Sequence, residues 1–184
     1  GVEEAVASGI DDIIIVTGYS RHVGLPGFKD LRHPCENVTV TNCALVSRSS
    51  GIRVGGPDQN PMRNLAFRNI SITESNRGIG LFTRCEGSIE NVTFRNIRIQ
   101  TRLHTGDWWG NGEPIHLSAV RLEKDVAPGK IRNVKFQGIR CEGESGLVVY
   151  GTAESVIEDV SFDDVTFRLA ASRLNDVAGG NFDL

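Results

Sequence analysis

Few residues in this sequence are suited to metal clusters, disulfide frameworks or membranes. Only four cysteines occur among 184 residues, at Cys35, Cys43, Cys85 and Cys141. They are too few and too scattered for a disulfide-stapled miniprotein, and no Cys-X-X-Cys pair forms a zinc knuckle. They are read as small buried hydrophobes, and no metal or cofactor is expected. Positive charge is not in excess: 20 Lys and Arg face 23 Asp and Glu, a net charge of −3. This excludes a general nucleic-acid binder, which needs a basic face. No apolar run approaches the roughly 18 residues of a membrane span; the longest obvious one is Ile13-Ile14-Ile15-Val16. No basic-then-apolar leader is visible and the chain opens at Gly1, so it is read as processed or as a piece of a longer protein. What is present, 39% hydrophobic and 23% charged residues, suffices for one globular domain over residues 1–184.

The informative feature is a repeat. Glu36-Asn37-Val38-Thr39-Val40-Thr41-Asn42-Cys43 aligns with Arg63-Asn64-Leu65-Ala66-Phe67-Arg68-Asn69-Ile70 and with Glu90-Asn91-Val92-Thr93-Phe94-Arg95-Asn96-Ile97. Two further copies begin at Arg132 and Glu158. The first polar anchor falls at 37, 64, 91, 133 and 159, the second at 42, 69, 96, 138 and 164, in the same steps. Within each copy apolar and polar residues alternate with strand period. A second short strand follows at Gly51-Ile52-Arg53-Val54, Gly78-Ile79-Gly80-Leu81 and Gly146-Leu147-Val148-Val149. A unit of about 27 residues without a helix cannot bury its own apolar face, but stacked copies can. The pattern predicts an all-β parallel β-helix of five clear coils, with the end of an earlier, truncated coil in Ile10–Thr17. Its rungs rise by about 4.8 Å. The recurring Asn residues then form turn ladders, which also accounts for the apparent glycosylation sequons at Asn37, Asn69 and Asn91 and for Asp163-Asp164. Cys43 and Cys141 fall in core columns. The truncated coil leaves an open apolar end, expected to self-associate or to continue in a longer chain.

Function is sought where the period breaks, since insertions in a solenoid collect on one face. One insertion runs from Gly18 to Pro34 and carries Tyr19, Arg21, His22, Lys29, Arg32 and His33. The other, Thr101 to Pro114, produces the single step of 42. One follows and the other precedes a Gly-type strand, so they should rim a groove over one sheet. The second holds both tryptophans, Trp108 and Trp109, with His104, Asp107 and Glu113. Trp faces stack on sugar rings while polar neighbours bind hydroxyls. Stacking in register puts Asp12, Ser50, Arg77, Glu113 and Ser145 in one column, and Ile15, Arg53, Gly80, His116 and Val148 in a second. Arg53, Arg77, His104, Asp107, Trp108, Trp109, Glu113 and His116 are thus the candidate substrate-binding residues for a polar, anionic sugar. Asp11-Asp12 is an adjacent acidic pair entering this sheet, and two carboxylates across a sugar can serve as general acid and base.

PCENVTVTNC, SRSSGIRVGG, SNRGIGLF, GSIENVTFRNI and TRLHTGDWWGNGEPIHLSAV together resemble the polygalacturonases, the pectin-degrading glycoside hydrolases of family 28, over nearly the entire chain. The last stretch is most similar to uncharacterised bacterial relatives. The resemblance implies a right-handed, single-stranded parallel β-helix and no metal. It also implies a secreted or periplasmic location and hydrolysis of a plant or algal polysaccharide by clustered aspartates, with Asp11 and Asp12 matching the catalytic pair. The family's Asn-Thr-Asp motif precedes the chain, its Gly-His-Gly reads Ser49-Ser50-Gly51, and its Arg-Ile-Lys reads Gly80-Leu81-Phe82. Arg53, Arg77 and Arg84 are candidate replacements for that cationic clamp. A lyase or epimerase using His104, His116 or Arg53, and a non-catalytic glycan-binding β-helix, are the alternatives.

Overall fold

The computed structural model describes residues 1–19, 26–27, 30–106, 108–172 and 174. Among them are twelve strands and no α-helix. In chain order these are β1 (Val2–Glu3), β2 (Val6–Gly9), β3 (Ile14–Val16), β4 (Cys35–Ser47), β5 (Ser50–Gly56), β6 (Met62–Ser75), β7 (Arg77–Thr83), β8 (Ile89–Thr101), β9 (Glu113–Ala119), β10 (Ile131–Gly143), β11 (Val148–Tyr150) and β12 (Ile157–Leu169). Every pairing is parallel. The larger sheet runs β4-β6-β8-β10-β12, with β1 and β2 both on the outer edge of β4; the smaller runs β3-β5-β7-β9-β11. Successive rungs of one sheet are successive repeats of the sequence, which defines a parallel β-helix. The first coil is fuller than Ile10–Thr17, because Val2–Glu3 and Val6–Gly9 already pair with β4.

The long strands are bent ribbons, and the bends fall on the two polar columns. Asn37, Asn42, Asn64, Asn69, Asn91, Asn96, Asn133, Asp159 and Asp164 all have φ between 51° and 60°. Asn and Asp tolerate this left-handed conformation because their short side chains bond locally. Gly138 takes the same corner at φ 63° without a side chain. The amides join rung to rung: Asn64 donates to Asn37 at 3.2 Å, Asn91 to Asn64 at 3.2 Å and Asn133 to Asn91 at 2.7 Å. On the second corner Asn69 donates to Asn42 at 3.1 Å and Asn96 to Asn69 at 2.8 Å.

Inside the coil, equivalent residues stack on one another. Phe67, Phe94, Phe136 and Phe162 form a column with centroids 4.8, 5.0 and 5.0 Å apart and rings nearly parallel. Offset-stacked rings contribute beyond the area they bury. Cys43 and Cys141 lie opposite Ile70 and Ile99 in buried columns. All four cysteines are free, and burial pushes the Cys141 thiol up to about 12, so it is a packing residue rather than a nucleophile. On the terminal coil, Val2, Val6, Ile10 and Ile15 are exposed.

Truncating the central ring of the ladder, Phe94→Ala, is expected to destabilise the fold by about 3–5 kcal/mol. Denaturant unfolding measures it; a loss below about 1 kcal/mol would show that the column is not what holds the coils together.

Candidate functional site

The smaller sheet carries the two columns that the repeat aligns. Ser50 pairs with Arg77 and Arg77 with Glu113; Ile15, Arg53, Gly80, His116 and Val148 follow one another across five strands. Asp12 enters just before β3. Its Oδ1 accepts from the Ser49 hydroxyl at 2.9 Å and the Ser50 N–H at 2.8 Å, and its Oδ2 lies 3.1 Å from Arg53 Nε. The carboxylate is thus fixed by one coil's backbone and the next residues of its own sheet. Asp11 is turned elsewhere: it is exposed, its Oδ1 accepts the Asp12 N–H at 2.8 Å, and it is not part of the cleft lining.

A cleft of about 300 Å³ opens beside Asp12, lined also by Arg53, Arg77, Phe82, Arg84, Trp109, Gly56, Pro57 and Leu122. Phe82 is buried in its lining. The guanidinium carbons of Arg77 and Arg84 stand 4.8 and 5.1 Å from its ring centroid. Gly80 makes this possible: a Cβ there would sit 2.4 Å from Phe82 Cε2 and 3.1 Å from Arg77 Cδ. Arg84 donates to the Ser118 carbonyl at 3.1 Å and hydroxyl at 3.2 Å, which holds the charge over the sheet.

Glu113 and His116 do not reach the cleft. Both are fully buried and join Arg77, itself only 1% exposed in the cleft lining, in one ion cluster. Glu113 Oε1 accepts from Arg77 Nε at 2.7 Å and from His116 Nδ1 at 3.0 Å, and Oε2 accepts the Asn111 N–H. A carboxylate only accepts, so Nδ1 is the nitrogen that donates; the buried Nε2 has no hydrogen-bond partner among the described residues. Burial alone would raise the Glu113 pKa, but the His116 hydrogen bond, the Arg77 charge and the Arg77 hydrogen bond outweigh it and hold it below the ordinary range. The cluster therefore fixes Arg77 rather than offering a carboxyl to a ligand.

The second insertion divides its residues between anchoring and exposure. Arg48 stands 5.8 Å over the Trp108 ring, so Trp108 is engaged by the coil below. His104 Nε2 bonds the Glu74 carbonyl at 2.7 Å, outside the cleft, and its pKa is lowered, mainly by burial and further by the Arg102 and Arg48 charges. Trp109 is 46% exposed and faces the cleft. Asp107 lies outside the described residues, as do Arg21, His22 and Lys29 of the first insertion. Asn76 was not legible as a site residue, yet its amide donates to the carbonyls of Trp108, Trp109 and Gly110 at 3.3, 3.2 and 2.9 Å. Nothing in its own neighbourhood signals a partner thirty residues onward. Asp58 was also missed. It accepts from the Thr17 hydroxyl and, at 2.9 Å, the Gly18 N–H. Burial pushes its carboxyl above the ordinary range against those bonds and the Arg53 charge. With Asn60, which donates to the Gly18 and Leu31 carbonyls at 3.0 Å, it ties the first insertion to the end of β5. The described parts of the two insertions thus attach at opposite ends of the strands.

Among the described residues no group of three or more His, Cys, Asp or Glu is placed to hold a metal ion, and no helix is long and apolar enough to cross a membrane. No protein-family profile, curated protein or solved structure matches this chain.

Glu113→Gln should destabilise the protein by about 3–5 kcal/mol at neutral pH, because it strands a buried guanidinium. The folded pKa lies below the ordinary 4.5, so this carboxylate's contribution is complete above that value and lost as pH falls through the lower folded value. Urea unfolding between pH 7 and pH 3 should show a drop in the wild type that is smaller in Glu113→Gln; equal drops would remove Glu113 from the account.

Proposed function

We propose that the cleft binds an acidic polysaccharide and that the chain is the groove-bearing part of a glycoside hydrolase. The observation that supports this best is that Asp12, held between Ser49, Ser50 and Arg53, lines one cleft together with the exposed Trp109 ring, three arginines and Phe82. Trp109 stacks on one sugar while guanidinium groups meet carboxylate or sulfate, a pairing suited to arginine's planar fork. Asp12 accepts a proton from the attacking water or offsets charge developing at the anomeric carbon. Asp11 is exposed and turned from the cleft, so the described lining holds no second carboxyl to protonate the leaving oxygen.

A second reading is a glycan-binding wall without turnover. It draws support from the cleft lining, in which Asp12 is the one carboxylate among the described residues, whereas hydrolysis with either stereochemistry uses two.

Incubation with carboxylated, sulfated and neutral polysaccharides separates the readings. Hydrolysis yields new reducing ends without the ultraviolet absorbance of an unsaturated sugar, and Asp12→Asn should abolish it while leaving circular dichroism unchanged. Trp109→Ala should weaken binding at least tenfold, about 1.4 kcal/mol. Binding without new reducing ends would favour the second reading. Neither binding nor cleavage of any acidic polymer would overturn both.

A further inference from the structure

The outer surface of the larger sheet treats charge in two different ways. At its first corner, Glu36, Arg63, Glu90, Arg132 and Glu158 occupy one column on successive rungs. The signs alternate at every step, and Arg63 pairs with Glu36 at 2.6 Å and Arg132 with Glu90 at 3.0 Å. Around the second corner the pattern reverses. Arg68 lies opposite Arg95 on the next rung, and Arg98 lies opposite Arg140. Like charges on adjacent rungs, about 4.8 Å apart, destabilise a sheet. This fold has the means to avoid the cost and does so one corner away.

Arg68, Arg95 and Arg98 are exposed and have no ion-pair partner among the described residues. Arg140 is drawn across the gap that Gly138 leaves in the amide ladder, donating to both Asp164 carboxylate oxygens at 2.8 and 2.9 Å. Arg98, Arg140 and Arg168 line a cleft of about 380 Å³ with Thr73, Gln100 and Glu142, and Glu142 lies 3.5 Å from Arg168. The corner thus presents five arginines with Glu142, Asp163 and Asp164 interspersed, on a chain of net charge −3. It lies on the larger sheet, not on the sheet that forms the Trp109 cleft.

We propose that this arginine corner is a second binding surface, for a linear acidic polysaccharide lying along the helix axis. The occupant follows from charge complementarity. A duplex nucleic acid brings one charge per roughly 1.7 Å of its axis, which the three interspersed acids would repel. A glycan with a single charge per sugar can place its anions on successive arginines and its hydroxyls against Thr73, Gln100 and the amides of Asn69 and Asn96. Bidentate guanidinium contacts supply the attraction, which weakens as salt screens it. The surface does not depend on the function proposed for the groove.

Titration calorimetry with polygalacturonate and with heparin, as carboxylated and sulfated probes, tests it. Arg95→Glu/Arg98→Glu should weaken binding to this surface at least tenfold while circular dichroism stays unchanged. Lys124→Glu/Lys130→Glu, an equal change in net charge elsewhere, should leave it within twofold. Wild-type affinity in the Arg95/Arg98 variant, an equal loss in the lysine control, or no binding of either probe by the wild type would overturn the proposal. Duplex DNA binding through the same arginines as tightly as either probe would overturn the choice of polysaccharide.

Discussion

The structure depends on the vertical match between consecutive coils. Each repeat has an apolar face it cannot bury alone, and every backbone pairing in the two sheets is made with the neighbouring coil. The Asn residues at the two corners make that match specific. They hold the chain at positive φ where a branched side chain could not, and their amides bond to the same atom type one rung away. A slip of one residue would put the Phe column outside and break the alternation of Glu36, Arg63, Glu90 and Arg132. Backbone, core and surface charge therefore agree on one register.

That register creates the site. Asp12, Arg53, Arg77 and Trp109 come from four consecutive coils yet line one cleft. None of them could be placed there by local structure. The buried cluster of Arg77, Glu113 and His116 costs desolvation that its hydrogen bonds offset only as a set. It fixes one guanidinium against Phe82, whose ring needs the missing side chain at Gly80. Asn76 then holds the loop so that Trp109 faces the cleft while Trp108 is occupied by Arg48.

Residues that recur were legible in the sequence. The ladder corners, the core cysteines and the register of both columns on the smaller sheet follow from the period, because in a solenoid equal spacing becomes contact. Residues that act once were not. The separation of Trp108 from Trp109, the placement of His104 at the Glu74 turn, and the burial of Glu113 and His116 all depend on how an insertion folds back, which leaves no period to read. Asp58 and Asn76 were missed for the same reason, since their partners are loop carbonyls, hydroxyls and N–H groups distant along the chain. Asp11 and Asp12, equal as a dipeptide, are separated by their contacts: Asp12 is held by Ser49, Ser50 and Arg53, whereas Asp11 is exposed and accepts only the Asp12 N–H among the described contacts.

The central claim is that residues from four coils form one acidic-glycan site. Chemical-shift mapping with a carboxylated oligosaccharide tests it most directly. The account predicts concerted, saturable shifts at the Trp109 indole N–H, the Arg53, Arg77 and Arg84 guanidinium groups and the Asp12 carboxyl, all fitting one dissociation constant. Saturation of the protein with these five groups unmoved would contradict it.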